Sequence, residues 1–313
     1  MSQRAPAEDL RIAAIVLNYR TPALVLDCLA SLVPELDPAR DAIVVVDNAS
    51  GDDSVEQVRR GVAEHGWKGV RLVESPRNDG FAAGNNVGIR AVTAHAYLLL
   101  NSDTLVRPGA VSRLLETLDS DPRLGIVSPR LEWPDATPQI SCFRLHTPWS
   151  ELIYTAGTGP VRSLLARWDV PLEVADEPFE PGWTSFAAVM IRGSVFEQVG
   201  LLDEGFFMYY EDVDYCRRAA HAGWRIRHEP RARVVHLRGQ TSPVKALSAA
   251  RKRRPRYYYA SRSRYFRNAY GRAGLLVANL FWTAGRAVAF ARELVGSKES
   301  HAVERELLDI WRG

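Results

Sequence analysis

The sequence predicts an α/β protein: a mostly parallel sheet with helices on both faces. Short apolar runs recur at 12–17, 43–46 and 96–100, the signature of buried strands, and a further strand is expected at 70–73. Between them lie segments with helical spacing, as at Leu24, Cys28, Leu29 and Leu32. Polar clusters close the runs: Asn18-Tyr19-Arg20-Thr21-Pro22, Asp47-Asn48-Ala49-Ser50-Gly51 and Asn101-Ser102-Asp103. Strands alternating with helices form parallel sheets covered on both sides, and such sheets bind ligands at the carboxyl ends of their strands.

The elements follow in order. After the first strand, residues 23–33 are helical; the strand at 43–46 ends in Asp47 and is followed by a helix over 55–65. The third strand, 70–73, leads into a Gly/Asn-rich loop over 77–88, whose glycines permit close backbone approach to a ligand. The fourth strand delivers Asn101 and Asp103 to one side, because alternate residues of an extended segment share a face. Pro108 opens a helix over 108–118. From 132 to 183 the period is lost; Trp133, Trp149, Trp168 and Trp183 fall here, and most are expected in the core. A strand at 186–191, a helix at 194–199 and a strand at 231–236 follow.

Chemistry concentrates in 205–224, GFFMYYEDVDYCRRAAHAGW. Acids early, bases later and a closing Gly223 predict a helix. Its first turn carries Glu211, Asp212 and Asp214 behind an aromatic run. Acids suit a helix N-terminus on dipole grounds alone, by ~0.3–1 kcal/mol each. The same arrangement would also hold a base beside the apolar face of a sugar. Neighbours on a helix point about 100° apart, so one of Glu211 and Asp212 is aimed at a reacting group and the other is not.

The totals narrow the class. The chain has 313 residues and a net charge of +3, unevenly placed. Residues 238–272 hold eleven Lys or Arg and no acid, leaving −8 for the rest, which points to an anionic partner near that segment. Cys28, Cys142 and Cys216 show no metal-ligand spacing, and the N-terminus has no apolar signal core; the cytoplasm is the expected compartment. No run looks apolar enough for a spanning helix.

Six motifs in order resemble glycosyltransferase family 2: Ile15-Val16-Leu17-Asn18-Tyr19, Val45-Val46-Asp47-Asn48-Ala49-Ser50, the run from Asn78 to Asn86, Asn101-Ser102-Asp103, the run from Phe206 to Asp214, and Val234-Val235-His236. The resemblance covers roughly 10–270 and is greatest to bacterial rhamnosyltransferase-like members that extend cell-wall or O-antigen glycans. It implies a GT-A (Rossmann-like) fold, a nucleotide-sugar donor (dTDP-rhamnose, or a UDP-sugar), Mg2+ or Mn2+, and inversion at the anomeric carbon. By the same resemblance Asn18, Asp47, Arg77, Asn78, Gly80, Asn85, Asn101, Ser102 and Asp103 contact the donor. Asp103 and His236 hold the metal, Asp212 is the base with Glu211 beside it, and Trp183 and Tyr210 meet a glycan or polyprenyl-linked acceptor. Two departures stand out. Asn101 replaces the first acid of the family's Asp-X-Asp motif, and Phe186 stands where Gly is usual, near the acceptor. A catalytic domain over 1–242 is expected, its donor half about 10–125 and its acceptor half about 126–242, followed by a helical extension over 243–313.

In that extension, 251–267 mixes cations with aromatics, and 274–295 reads as an amphipathic helix with a polar stripe at Arg272, Asn279, Arg286 and Glu293. An anionic membrane face, the phosphate of a lipid-linked acceptor, the protein's own body and a homodimer contact are the alternative partners; nucleic acid is not expected. A sugar nucleotidyltransferase is the rival enzyme, and a non-catalytic nucleotide-sugar or RNA-binding protein the rival without chemistry. The first would need a Gly-rich cationic loop after the first strand, where this chain has Asn18-Tyr19-Arg20-Thr21-Pro22.

Overall fold

The structure, a computed structural model, describes residues 9–239, 244–296 and 302–313. Its strands are β1 (Asp9–Asn18), β2 (Asp41–Asp47), β3 (Val70–Glu74), β4 (Thr93–Asn101), β5 (Thr104–Val106), β6 (Leu124–Glu132), β7 (Cys142–Phe143), β8 (Trp183–Thr184), β9 (Ala188–Arg192) and β10 (Arg225–His236). Eight form one sheet in the order β3-β2-β1-β4-β9-β6-β10-β5, and β7 pairs with β8 as a separate ribbon. Within the sheet only β9 and β5 run against the rest. The expected mostly parallel GT-A sheet is therefore the one observed.

Alternation along the strands fills two cores. Ile12, Ala14 and Val16 of β1 face α1 (Pro22–Leu32) and later α4 (Ala110–Asp119), with Val58 of α2 (Ser54–Glu64) on the same side. Ala13 and Ile15 face the opposite core, which α3 (Phe81–Ala91) begins. This helix corrects the loop expected over 77–88. Its glycines serve packing: a Cβ on Gly84 would lie 2.5 Å from Leu17, and one on Gly88 2.5 Å from Ile15. Removing both side chains lets α3 lie close on β1, so residues typical of loops mark a tight helix–sheet contact.

Between β7 and β8 lie α5 (Pro148–Ala156) and α6 (Gly159–Leu164); after β9 come α7 (Gly193–Val199) and α8 (Glu211–His221). The tryptophan expectation fails for most of its members. Trp183 is buried, but Trp133 and Trp149 are exposed and Trp168 is half-buried. Trp149 stacks on Trp168 at 5.0 Å instead of entering the core.

Three helices end the chain: α9 (Val244–Ala249), α10 (Arg256–Val295) and α11 (Glu306–Arg312). Gly271, at φ 70° and ψ −175°, kinks α10. The expected domain boundary at 242 falls outside the described residues. Before the kink, Tyr265 and Phe266 enter the sheet's core, and after it Trp282 is buried with Tyr259 and Ile310. By length and composition α10 is apolar enough to cross a membrane, contrary to the expectation from sequence, because its charges beyond Gly274 are sparse; 28% of its most apolar stretch is buried.

Two further expectations about this segment change. Much of its basic character is turned inward: Arg253 pairs with Asp309, Arg254 with Glu306, Arg262 with Glu151 and Arg264 with Asp203. Past Arg272, which is exposed, the polar stripe of α10 also turns inward. Asn279 is buried, accepts from Arg262 at 2.7 Å and donates to the Ile310 carbonyl at 3.2 Å. Arg286 meets Glu293 at 3.3 Å. Leu276, Leu280, Phe290 and Leu294 are left exposed. Here the hydrogen-bonding needs of buried Arg262 and the α11 backbone outrank the usual rule that apolar faces turn inward.

Arg262→Met would leave Glu151 buried without its cation, with an expected loss of ~3–5 kcal/mol in urea unfolding. The double change Glu151→Leu and Arg262→Met should recover most of that loss.

Candidate active site

Parallel register brings the polar strand ends side by side. Asn18 lies opposite Asp47, and Leu17 opposite Asn101. The Asn18 amide donates to Asp47 Oδ1 at 2.7 Å, the Ser50 hydroxyl donates to the same oxygen at 2.6 Å, and the Ser50 N–H donates to Oδ2 at 3.0 Å. Thr21 links this knot to the next strand end through Ser102 at 2.9 Å. Asp47 thus organises a turn, with both oxygens engaged. Ser50 and Thr21 were not singled out from sequence; the Asp-X-X-Ser spacing of a side-chain-closed turn could have flagged Ser50.

On the neighbouring loop, Asn78 accepts from the Asn48 amide and the Gly80 N–H, both at 3.0 Å. Gly80 has φ 96°, and a Cβ there would sit 2.0 Å from the Phe207 carbonyl oxygen. The Phe81 N–H donates to that oxygen at 2.7 Å, tying this loop to the aromatic run before α8. Asn85 donates to the Phe81 carbonyl at 2.9 Å, and its own Oδ1 is buried without a partner. Arg77 stands apart: its side chain is 79% exposed and pairs with Asp79.

Asp103 is buried, and neither carboxylate oxygen has a hydrogen-bond partner. His236 Nε2 lies 3.5 Å from Asp103 Oδ1, and His236 Nδ1 is also buried and unpartnered. The short β5 creates this contact by pairing Thr104 with His236 on β10. A bare buried carboxylate is costly without a cation. An acid and an imidazole with open lone pairs fit a divalent ion, whose remaining positions substrate phosphates and water can fill. No cluster of three His, Cys, Asp or Glu ligands occurs among the described residues.

Glu211 and Asp212 open α8. The two residues before them, Tyr209 and Tyr210, both have left-handed backbones, with φ 70° and 69°. Such conformations cost ~1–3 kcal/mol each for bulky side chains and concentrate at sites where geometry is imposed. Burial pushes the Asp212 carboxyl up to about 7, opposed by hydrogen bonds from the Val213 and Phe186 backbone. Burial and the Asp212 charge hold Glu211 well above the usual carboxylate range. Asp214 is occupied, accepting from Arg218 at 2.9 Å. Just before β9, the Ala187 carbonyl accepts from the Asn101 N–H at 2.9 Å, two residues from Asp103.

Trp183 and Tyr210 line one cavity of about 460 Å³ beside α5, α10 and α11. Trp183 stacks on Phe143 at 4.2 Å and donates to the Arg144 carbonyl at 2.9 Å. His146, not anticipated from sequence, contacts Tyr210 at 5.2 Å, and burial pushes its imidazole down to about 4, so it is neutral at pH 7. Nothing in its local sequence, Arg144-Leu145-His146-Thr147-Pro148, marks it.

Strand ends that gather polar groups, an open acid–imidazole pair and a raised carboxyl pair define a GT-A protein. The profile of the family described as "Glycosyltransferase like family 2" matches residues 9–260, and the chain belongs to that family. It is 32% identical over 145 residues to the N-acetylglucosaminyl-diphospho-decaprenol L-rhamnosyltransferase of Mycobacterium tuberculosis, spanning 45% of this chain and 43% of that protein. It is 23% identical over 237 residues to the dTDP-rhamnosyl transferase RfbF of Shigella flexneri, covering 74% and 70% respectively. In structure it resembles a mannosyltransferase from Pyrobaculum calidifontis, solved with GDP-Man and Mn2+, with a TM-score of 0.59 at 17% identity over 94% of this chain and 79% of that one.

Because the folded pKa of Asp212 is raised, its stabilising protonated form is lost as pH rises through about 7. Asp212→Asn should therefore raise the melting temperature more at pH 8 than at pH 5, by on the order of 1 kcal/mol or more. Equal shifts at both pH values would contradict the burial of this carboxyl.

Proposed function

We propose that the protein is an inverting, metal-dependent hexosyltransferase that moves a sugar, rhamnose from dTDP-rhamnose by analogy with its rhamnosyltransferase relatives, to a glycan or polyprenyl-linked acceptor of a surface polysaccharide. The observation that carries this reading is the buried Asp103, whose two oxygens have no hydrogen-bond donor and which has His236 Nε2 3.5 Å away. The Asp212 carboxyl, pushed up to about 7 by burial, supplies a base.

Asp212 accepts the proton of the attacking acceptor hydroxyl. A carboxyl titrating near 7 is a stronger base than an ordinary aspartate and is still about half ionised at neutral pH. As the acceptor oxygen bonds to the anomeric carbon, the bond to the diphosphate breaks and its electron pair leaves on the nucleoside diphosphate. A divalent ion, Mg2+ or Mn2+, bound by Asp103 and His236 would supply charge neutralisation for that leaving group. Asn18, Asp47, Asn78, Gly80, Asn85 and Ser102 shape the donor side mainly by holding the strand-end loops, and Asn101 presents its open Oδ1 there. Arg77, exposed, can reach the donor only by leaving Asp79. Glu211, its carboxyl held above the usual range by burial and by Asp212, stands beside it.

The exposed apolar face of α10 supports an attachment to an anionic lipid surface. Its polar groups are already spent on the protein, Trp311 of α11 is 45% exposed beside Leu307 and Leu308, and Arg267 and Arg272 stand exposed just before it. Exposed aromatics and basic residues flanking an apolar face suit a bilayer interface.

Asp212→Asn should lower the transfer rate by ~10²–10⁴-fold with donor affinity retained, and wild-type kcat should rise with pH through about 7. Transfer by this variant at wild-type rate would remove the base assignment. Phe290→Asp with Leu294→Asp should abolish co-sedimentation with phosphatidylglycerol vesicles while leaving donor affinity unchanged. Sedimentation that persists in the variant would sink the lipid attachment. So would a wild-type protein that ignores vesicles and dimerises through this face.

A further inference from the structure

The cavity next to Tyr210 has a chemistry of its own. Its walls come from two distant parts of the chain. Phe143, His146, Trp183 and Tyr210 belong to the body, and Tyr258 and Trp282 come from α10. Three cations reach its lining, and each is met by a carboxylate that also lines it. Arg262 donates to Glu151 at 2.8 Å, Arg162 donates to Asp169 at 2.6 Å, and Arg254 pairs with Glu306 of α11. Arg254 and Arg262 are further engaged by the Tyr154 hydroxyl and Asn279. The imidazole of His146 is uncharged near neutrality. The lining therefore has no net charge and no uncommitted cation to offer a phosphate.

What remains available is flat aromatic surface, with a few polar atoms among it. Its volume, about 460 Å³, lies in the ordinary range for small-molecule sites. A pyranose presents apolar C–H faces and a rim of hydroxyls, and it complements this surface as a phosphate does not. Tyr154, which lines the cavity, is 61% exposed. Tyr210, also in the lining, is one residue before the acid pair.

We propose that this cavity is a subsite for an uncharged sugar unit of the acceptor, walled on one side by α10 and α11, and that any phosphate of the acceptor lies outside it. The inference rests on the glycosyl-transfer reading, because it takes the ligand to be the acceptor. Tyr258 and His146 are then specificity-determining residues, and the C-terminal helices are part of the acceptor site. Of the basic segment, Arg254 and Arg262 neutralise acids that line the cavity.

The test uses the full-length protein, with binding followed by tryptophan fluorescence, since Trp183 and Trp282 line the cavity. Probes are neutral octyl hexosides, the matching hexose 1-phosphates, and octanol. Neutral glycosides should bind. Tyr258→Ala should weaken them about tenfold, as truncation of a central aromatic contact does, and Tyr258→Phe should retain binding. Calorimetric affinity for dTDP and UDP should be the same in all three proteins. Preference for the phosphates, equal binding of octanol, or neutral-glycoside affinity unmoved by Tyr258→Ala would each overturn the proposal. Failure of the wild type to bind either nucleotide would count against the donor site instead, and the glycoside comparison would still judge the cavity.

Discussion

Asp103 keeps both carboxylate oxygens buried with no donor to meet them, and Glu211 and Asp212 lie adjacent at the start of α8. Negative charge that is neither solvated nor paired is costly, and a fold keeps it where something else completes the balance. Elsewhere in this chain buried acids are paired with care: Glu132 with Arg107 and Arg233, Glu151 with Arg262, Glu306 with Arg254. The contrast between supplied and withheld cations sets Asp103 apart from these. Asp47 has no cation either, but Asn18 and Ser50 donate to both of its oxygens.

The site is held in shape by backbone contacts as much as by side chains. Gly80 presses on Phe207, two tyrosines adopt left-handed conformations, and the Ala187 carbonyl accepts from the Asn101 N–H. Each contact ties elements distant in sequence, and the strain at Tyr209 and Tyr210 is sustained by packing on His146, Tyr258 and Tyr265. Those partners come from α10 and from the irregular region before α5. The C-terminal helices thus support the geometry of the acid turn as well as the cavity beside it.

Periodicity exposed β1, β2, β3 and β4 and their helices because a strand buried on both faces must be apolar throughout. It failed at α3, where Gly84 and Gly88 remove the side chains that would have shown a helical face. It failed also for Trp149, whose indole stacks on a neighbouring ring at the surface. In α10 the pattern was read in the right places with its faces reversed: a helix whose polar stripe is needed inside looks the same in sequence as one whose stripe is wet. His146 carried no signal, since a lone histidine acquires its role only from what packs around it.

By itself the sequence determined the α/β class, the polar strand ends and the acidic start of α8, because these depend on local pattern and on motif order. The pairing of Asp103 with His236 and the neutral lining of the cavity were decided by tertiary structure alone. They join residues more than a hundred positions apart, or depend on which cation reaches which acid, and only the packed chain sets those distances.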